Sequence, residues 1–168
     1  MQRHVTADDR IRQFGFLLKD VSRLNTRHFE QCAKGLGLTL GQCKVMVYLS
    51  RNEGATQARL AALTEMEPMT LVRIIDRMEK DELIERRADP SDRRAHRLYL
   101  GATAHAVIAE IIRVADYARA EALAGLSAAD KSQLMVLLEQ VRANLIALVP
   151  HASDDVDSSV EFVRTPVE

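Results

Sequence analysis

The feature that most constrains this chain is a change of hydrophobic period near residue 82. Over 68–81 the apolar residues recur at helical spacing, so that Leu71, Ile74, Ile75 and Met78 share one face. Met69, Val72, Arg73, Asp76, Arg77 and Lys80 share the other, with Thr70 flanking it near the start. Beyond residue 82 the pattern becomes two-fold. Leu83 to Arg87 and Ala95 to Leu100 read as strands, with His96, Leu98 and Leu100 alternating against Arg97 and Tyr99. Between them lies Ala88-Asp89-Pro90-Ser91-Asp92-Arg93-Arg94, a turn-rich loop with consecutive arginines at its tip. Upstream, Thr56 can cap a short helix through Leu63, and Pro68 suits the first turn of the next, where its missing N–H is no loss. Two helices joined by the tight turn Thr64-Glu65-Met66 and followed at once by a hairpin define a winged helix-turn-helix.

The flanks are helical. Asp8 to about Gly35 carries the apolar stripe Phe14, Leu17, Leu18, Val21, Leu24 and Phe29, ended by Gly35 and Gly37. Thr39 to Arg51 forms a second helix with Leu40, Cys43, Met46 and Val47 inward, stopped at Asn52-Glu53-Gly54. After the hairpin, a long helix spans about Thr103 to Ala124. Gly125 breaks it, and Ser127-x-x-Asp130 is an Asp-bearing capping box for a last helix to about Val149, stopped by Pro150. The expected class is mostly α (α+β): one domain over 1–149, with a winged lobe at 39–100 between terminal helices at 8–35 and 103–149. Residues 150–168 form an acidic, Ser/Asp-rich tail. Aromatic residues at 4% and the absence of Trp agree with a helical bias. A single small chain has too little surface to cover both terminal stripes, so a homodimer is expected.

Several function classes drop out. No apolar run approaches the roughly 20 residues of a membrane span, and Met1 to Arg10 lacks the apolar core of a signal peptide. Cys32 and Cys43 are too few for a disulfide framework, so the expectation is a cytoplasmic chain with reduced thiols. A Gly-rich phosphate loop, a nucleophile elbow and paired catalytic carboxylates are all missing, so no enzyme is expected. The net charge of −1 does not mark a polyanion binder, but the tail holds Asp154, Asp155, Asp157, Glu161 and Glu168 against Arg164 alone, which leaves 1–149 with a small positive excess.

The outward face of 68–81 carries the chemistry. Arg73 can bond a guanine edge bidentately, Thr70 can bond a base or phosphate, and Met69 or Val72 can touch a thymine methyl. Arg77 and Lys80 suit phosphate, or ion pairs with Asp81 and Asp76 at helical spacing. At the hairpin tip Arg93 and Arg94 can enter a narrow minor groove, with Asp92 holding one guanidinium in place. A solvated charged face would explain the helix alone. It does not explain an Arg-tipped hairpin directly after it.

The run Glu67-Pro68-Met69-Thr70-Leu71-Val72-Arg73-Ile74-Ile75-Asp76-Arg77-Met78-Glu79, then Leu83-Ile84-Glu85-Arg86-Arg87-Ala88-Asp89-Pro90-Ser91-Asp92-Arg93-Arg94-Ala95, resembles the MarR family of bacterial regulators, its SlyA branch in particular. The shared pattern is Leu-x-x-Arg-x-x-Asp-Arg-x-Glu on the helix, a Glu-Arg-Arg strand and an Asp-x-Arg wing, within an element order that agrees from about residue 8 to 148. The resemblance implies a homodimer joined by its first and last two helices, binding double-stranded DNA at pseudo-palindromic operators, more often as repressor than activator. It places the recognition-helix arginine on Arg73, the preceding hydroxyl on Thr70, and the wing pair on Asp92 and Arg94. Together with Thr56 and Gln57 at the start of the preceding helix, Met69, Arg77 and Arg93 complete the expected DNA-binding set. The threonine that usually follows the second wing strand is Gly101 here, with Thr103 two residues later. Glycine is an acceptable N-cap, which leaves the start of the next helix open.

The resemblance also implies a small effector, such as a phenolic or other aromatic carboxylate, bound between the terminal helices and the DNA-binding lobe. Arg23, His28 and Lys44 are the cations there that could meet a carboxylate. His28 and Cys32 stand at i, i+4, which puts two possible metal ligands on one face. A site needs a third and fourth, and Cys43, His105 or nearby carboxylates are the candidates. No metal and no cofactor is therefore expected.

Overall fold

A computed structural model describes residues 11–90 and 95–149 of the chain. In order the elements are α1 (Phe14–Cys32), a 3-10 turn (Ala33–Leu36), α2 (Leu40–Arg51), α3 (Gln57–Thr64), α4 (Pro68–Lys80), β1 (Ile84–Ala88), β2 (His96–Leu100), α5 (Ala104–Ala122) and α6 (Ala128–Leu148). The fold class and order match the expectation from the sequence. No helix among the described residues is long and apolar enough to cross a membrane.

Local caps explain most boundaries. Thr39 and Gln42 form a reciprocal capping box on α2, the Oγ1 of Thr56 accepts the Arg59 amide at 3.2 Å to open α3, and Ser127 with Asp130 makes the box on α6. α1 ends earlier than Gly35, because the chain tightens into the 3-10 turn before Gly37 takes a left-handed φ of 67°. Both strands start one residue later than the sequence pattern suggests. They pair antiparallel from Ile84 opposite Leu100 to Ala88 opposite His96.

The core lies in the winged lobe. Met46 and Leu49 of α2, Leu60 of α3, Leu71, Ile75 and Met78 of α4, Ile84 of β1 and Leu98 of β2 are fully buried, and Ala104, Ile108 and Ile111 of α5 close the cluster. Each large aliphatic side chain removed from water contributes about 1.5–3 kcal/mol. This core holds α4 by its apolar face, so its orientation is set by burial. Cys43 is part of it, and burial pushes its thiol pKa up. Both cysteines are free thiols.

The terminal helices are different. Neither α1 nor α6 has a buried residue. Phe16, Leu17, Val21 and Leu24 of α1 are exposed, as are Met135, Val136, Leu137, Leu145 and Leu148 of α6. Leu18 of α1 and Leu138, Val141, Leu145 and Ile146 of α6 line one open apolar cleft.

Gly101 is not the cap of α5. That position falls to Thr103, and α5 starts at Ala104. Gly101 is instead a point of close approach: it is buried, its amide donates to the Leu83 carbonyl at 3.0 Å, and a Cβ there would sit 2.0 Å from the Glu82 carbonyl oxygen. A side chain does not fit between β2 and the turn that leads into β1.

Candidate nucleic-acid interface

The turn between α3 and α4 is set by a buried hydroxyl and a reversed residue. The Oγ1 of Thr64 donates to the Leu60 carbonyl at 2.7 Å, and Glu65 follows with φ 51° and ψ 36°. Pro68 opens α4, as its fixed φ favours. Glu67 is the N-cap: its carboxylate accepts the Thr70 amide at 2.9 Å and lies 3.3 Å from the Thr70 hydroxyl. The amides of Thr70 and Met69 hold this carboxyl below the usual range for a glutamate. Thr70 therefore meets any ligand with its hydroxyl already engaged.

On α4, Leu71, Ile75 and Met78 are buried, whereas Met69, Thr70, Arg73, Asp76, Arg77 and Lys80 are exposed. Val72 departs from the expected outward face. It is half-buried and lines the groove between α3 and α4 with Gln57, Ala61 and Met66. Arg77 pairs with Asp81 at 3.0 Å, one of the two arrangements expected for it. Arg73 makes no hydrogen bond or ion pair among the described residues, and shares a second groove with Thr39, Gln42, Thr70 and Arg77. The helix thus offers one uncommitted guanidinium near its start, beside polar side chains from the start of α2.

Asp76 does not pair along its own helix. Arg86 of β1 reaches it at 2.5 Å with one guanidinium nitrogen and reaches Glu79 with the other. Arg86 is 17% exposed, against about half for Asp76. This bridge offsets one of two negative charges on a surface that would face a polyanion, and it ties α4 to the wing. Arg86→Ala is expected to lower unfolding stability by about 1–2 kcal/mol, since charged hydrogen bonds are discounted where the acids stay wet. Chemical denaturation of both proteins measures it, and an unchanged midpoint would reduce Arg86 to a surface charge.

The wing is anchored at its base. The Asp89 carboxylate is buried and accepts from Arg97 Nε at 2.8 Å, while another guanidinium nitrogen of Arg97 donates to the Gly54 carbonyl at 3.2 Å. The Leu98 amide donates to the Ala55 carbonyl at 2.9 Å, and the Gly54 amide donates to the Leu98 carbonyl at 2.7 Å. The segment leading into α3 thus lies against β2, which fixes the hairpin relative to the helix-turn-helix. Arg87 packs over the Tyr99 ring at 4.3 Å from its centroid. Asp92, Arg93 and Arg94 lie outside the described residues.

The MarR family model matches residues 38–96, the segment from before α2 to the start of β2. The transcriptional regulator PA3341 is 32% identical, with 79% of this chain and 97% of that chain covered and a TM-score of 0.69. The chain belongs to the MarR family. Two more distant structures share its fold. A mutant MarR from Escherichia coli, complexed with operator DNA, is 22% identical, with 81% of this chain and 98% of that chain covered and a TM-score of 0.69. BpsR of Bordetella bronchiseptica, whose DNA binding is regulated by 6-hydroxynicotinic acid, is 23% identical, with 77% and 98% covered and a TM-score of 0.69.

In this MarR-family chain Thr56 and Gln57, named with the DNA-binding set, are both half-buried, and Thr56 uses its hydroxyl as the cap of α3. The three cations suggested for an effector have separate partners. Arg23 is exposed and paired with Asp20 one turn away, His28 lies 3.1 Å from the Glu121 carboxylate, and the Lys44 ammonium sits 5.8 Å from the Tyr48 ring centroid. Local sequence pattern gives Glu67, Arg86 and Asp89 no role, and gives Arg97 only a place in the strand alternation. A usable signal existed for Arg86: acids at 76 and 79 stand one turn apart on a face that otherwise collects cations.

Proposed function

We propose that this chain is a homodimeric, sequence-specific operator-binding regulator that represses transcription and is released by a small aromatic acid. The observation that carries the reading is the exposed face of α4, where Arg73 stands uncommitted beside Thr70 and a wing is anchored against the same lobe. An α-helix presenting arginine and hydroxyl groups fits the major groove, where sequence is read. Arg93 and Arg94 would enter the minor groove on either side, with Asp92 orienting Arg94. The operator complex of Escherichia coli MarR supports the DNA partner, and the response of BpsR to 6-hydroxynicotinic acid supports a hydroxylated aromatic acid as effector. Lys44, which lies over the Tyr48 ring, carries the carboxylate-binding part, since Arg23 already pairs with Asp20 and His28 with Glu121.

The bare apolar faces of α1 and α6 support the dimer, because two copies would remove both from water. Sedimentation at micromolar concentration is expected to show a dimer, and a folded monomer would overturn this part of the reading. The regulator reading is tested by gel shift on DNA flanking the chain's own gene, against random DNA of equal length, with a panel of aromatic acids. Preferential retardation of the flanking DNA, weakened by a hydroxylated aromatic acid, is the expected result. Equal retardation of both DNAs would sink the operator claim, and indifference to the whole panel would sink the effector claim.

A further inference from the structure

We propose that His28, Cys32 and Glu121 form a binding site for a zinc-like divalent cation, with water in the fourth position. His28 and Cys32 lie on one face of the last turns of α1, and Glu121 projects from the end of α5, against which α1 packs. One ligand atom from each lies within 4.8 Å of the other two. The His28 Nε2 is 3.1 Å from the Glu121 Oε2 and 3.8 Å from the Cys32 Sγ. Tetrahedral zinc, with bonds of about 2.0–2.3 Å, holds its ligand atoms roughly 3.3–3.8 Å apart. Small side-chain adjustments therefore suffice to close three ligands around one ion.

The donor set selects the ion class. A thiolate and an imidazole favour zinc and its borderline-soft neighbours over magnesium or calcium, which want oxygen alone. The carboxylate is supported from behind: the Tyr117 hydroxyl donates to the Glu121 Oε1 at 2.8 Å, which leaves Oε2 facing the imidazole. His28 and Cys32 are half-buried and Glu121 is exposed, so the fourth position opens to solvent. Neither Cys43 nor His105 joins this group. A bound ion would staple the C-terminal end of α1 to α5 across 89 residues of sequence, with no DNA required.

The test uses the full chain, purified with a phosphine reductant, stripped with a chelator and titrated with cobalt(II) alone. One ion per chain is expected, giving the intense visible bands of tetrahedral cobalt and a thiolate-to-cobalt charge-transfer band, both lost on adding zinc. Cys32→Ser is expected to abolish the charge-transfer band, and His28→Gln and Glu121→Gln to weaken cobalt binding at least about 10-fold each. Tyr117→Phe is expected to weaken it about 10-fold without changing the spectrum. In the unmutated protein, zinc but not magnesium is expected to protect Cys32 from alkylation, read by mass spectrometry. The protection arm stands even if a ligand variant fails to fold. A weak octahedral spectrum, bands that persist in Cys32→Ser, or equal alkylation with and without zinc would each overturn the site.

Discussion

Replacing Arg73 by alanine is expected to weaken operator binding by about 1–3 kcal/mol and to relax base preference at one position in each half-site. Arg73 sits in the second turn of α4, on the face opposite Leu71, Ile75 and Met78, and among the described residues it has no hydrogen bond to lose, only a charge attraction to the exposed Glu67. Its removal should therefore leave folding stability within the small range of ordinary surface changes. The neighbouring Arg77 is held by Asp81, so it is a poorer base reader and a better phosphate contact. Binding curves for Arg73→Ala on the flanking DNA and on random DNA, at one salt concentration, separate the two roles. Loss confined to the specific DNA supports base reading. Equal loss on both makes Arg73 a phosphate contact, because phosphate contacts weaken all sequences alike.

Gly101→Ala is expected to destabilise the fold by about 3 kcal/mol, at the upper end for an added methyl in a packed interior. The new Cβ would stand 2.0 Å from the Glu82 carbonyl oxygen and 2.8 Å from its carbonyl carbon. Neither atom can swing away as a flexible side chain would. Glu82 already holds a left-handed φ of 57°, and the Gly101 amide is committed to the Leu83 carbonyl. Relief must come from separating the end of β2 from the start of β1, which also tilts the wing away from α4. Gly101→Thr, whose side chain is larger still, should be at least as damaging in this chain. Urea denaturation of Gly101→Ala measures the effect. A loss below about 0.5 kcal/mol, the scale of an ordinary surface substitution, would mean that the close approach is relieved without strain.

The parts of this protein that were legible in its sequence are those decided over a few residues. The switch from a 3.6-residue to a two-residue period predicts the helix-turn-helix and hairpin, because one face of each element has to be buried. The cap at Thr56, the box at Ser127 and Asp130, and the role of Pro68 are likewise interactions reaching three residues at most. The exposed stripe of α1 follows from the same periodicity. Tertiary structure decided the rest. Asp76 could have paired along α4, yet Arg86 of β1 takes it together with Glu79, because the strand packs beside the helix. Asp89 reads as a turn residue until the hairpin closes and brings Arg97 to it. Val72 reads as outward until α3 packs beside it. Gly101 reads as a tolerable cap until the carbonyl of Glu82 arrives where its side chain would be. Glu121 is one acid among many until α5 lies along α1 and sets it beside His28 and Cys32. In each case the partner comes from another element, so its approach depends on how whole elements pack around the core, and no local spacing records that.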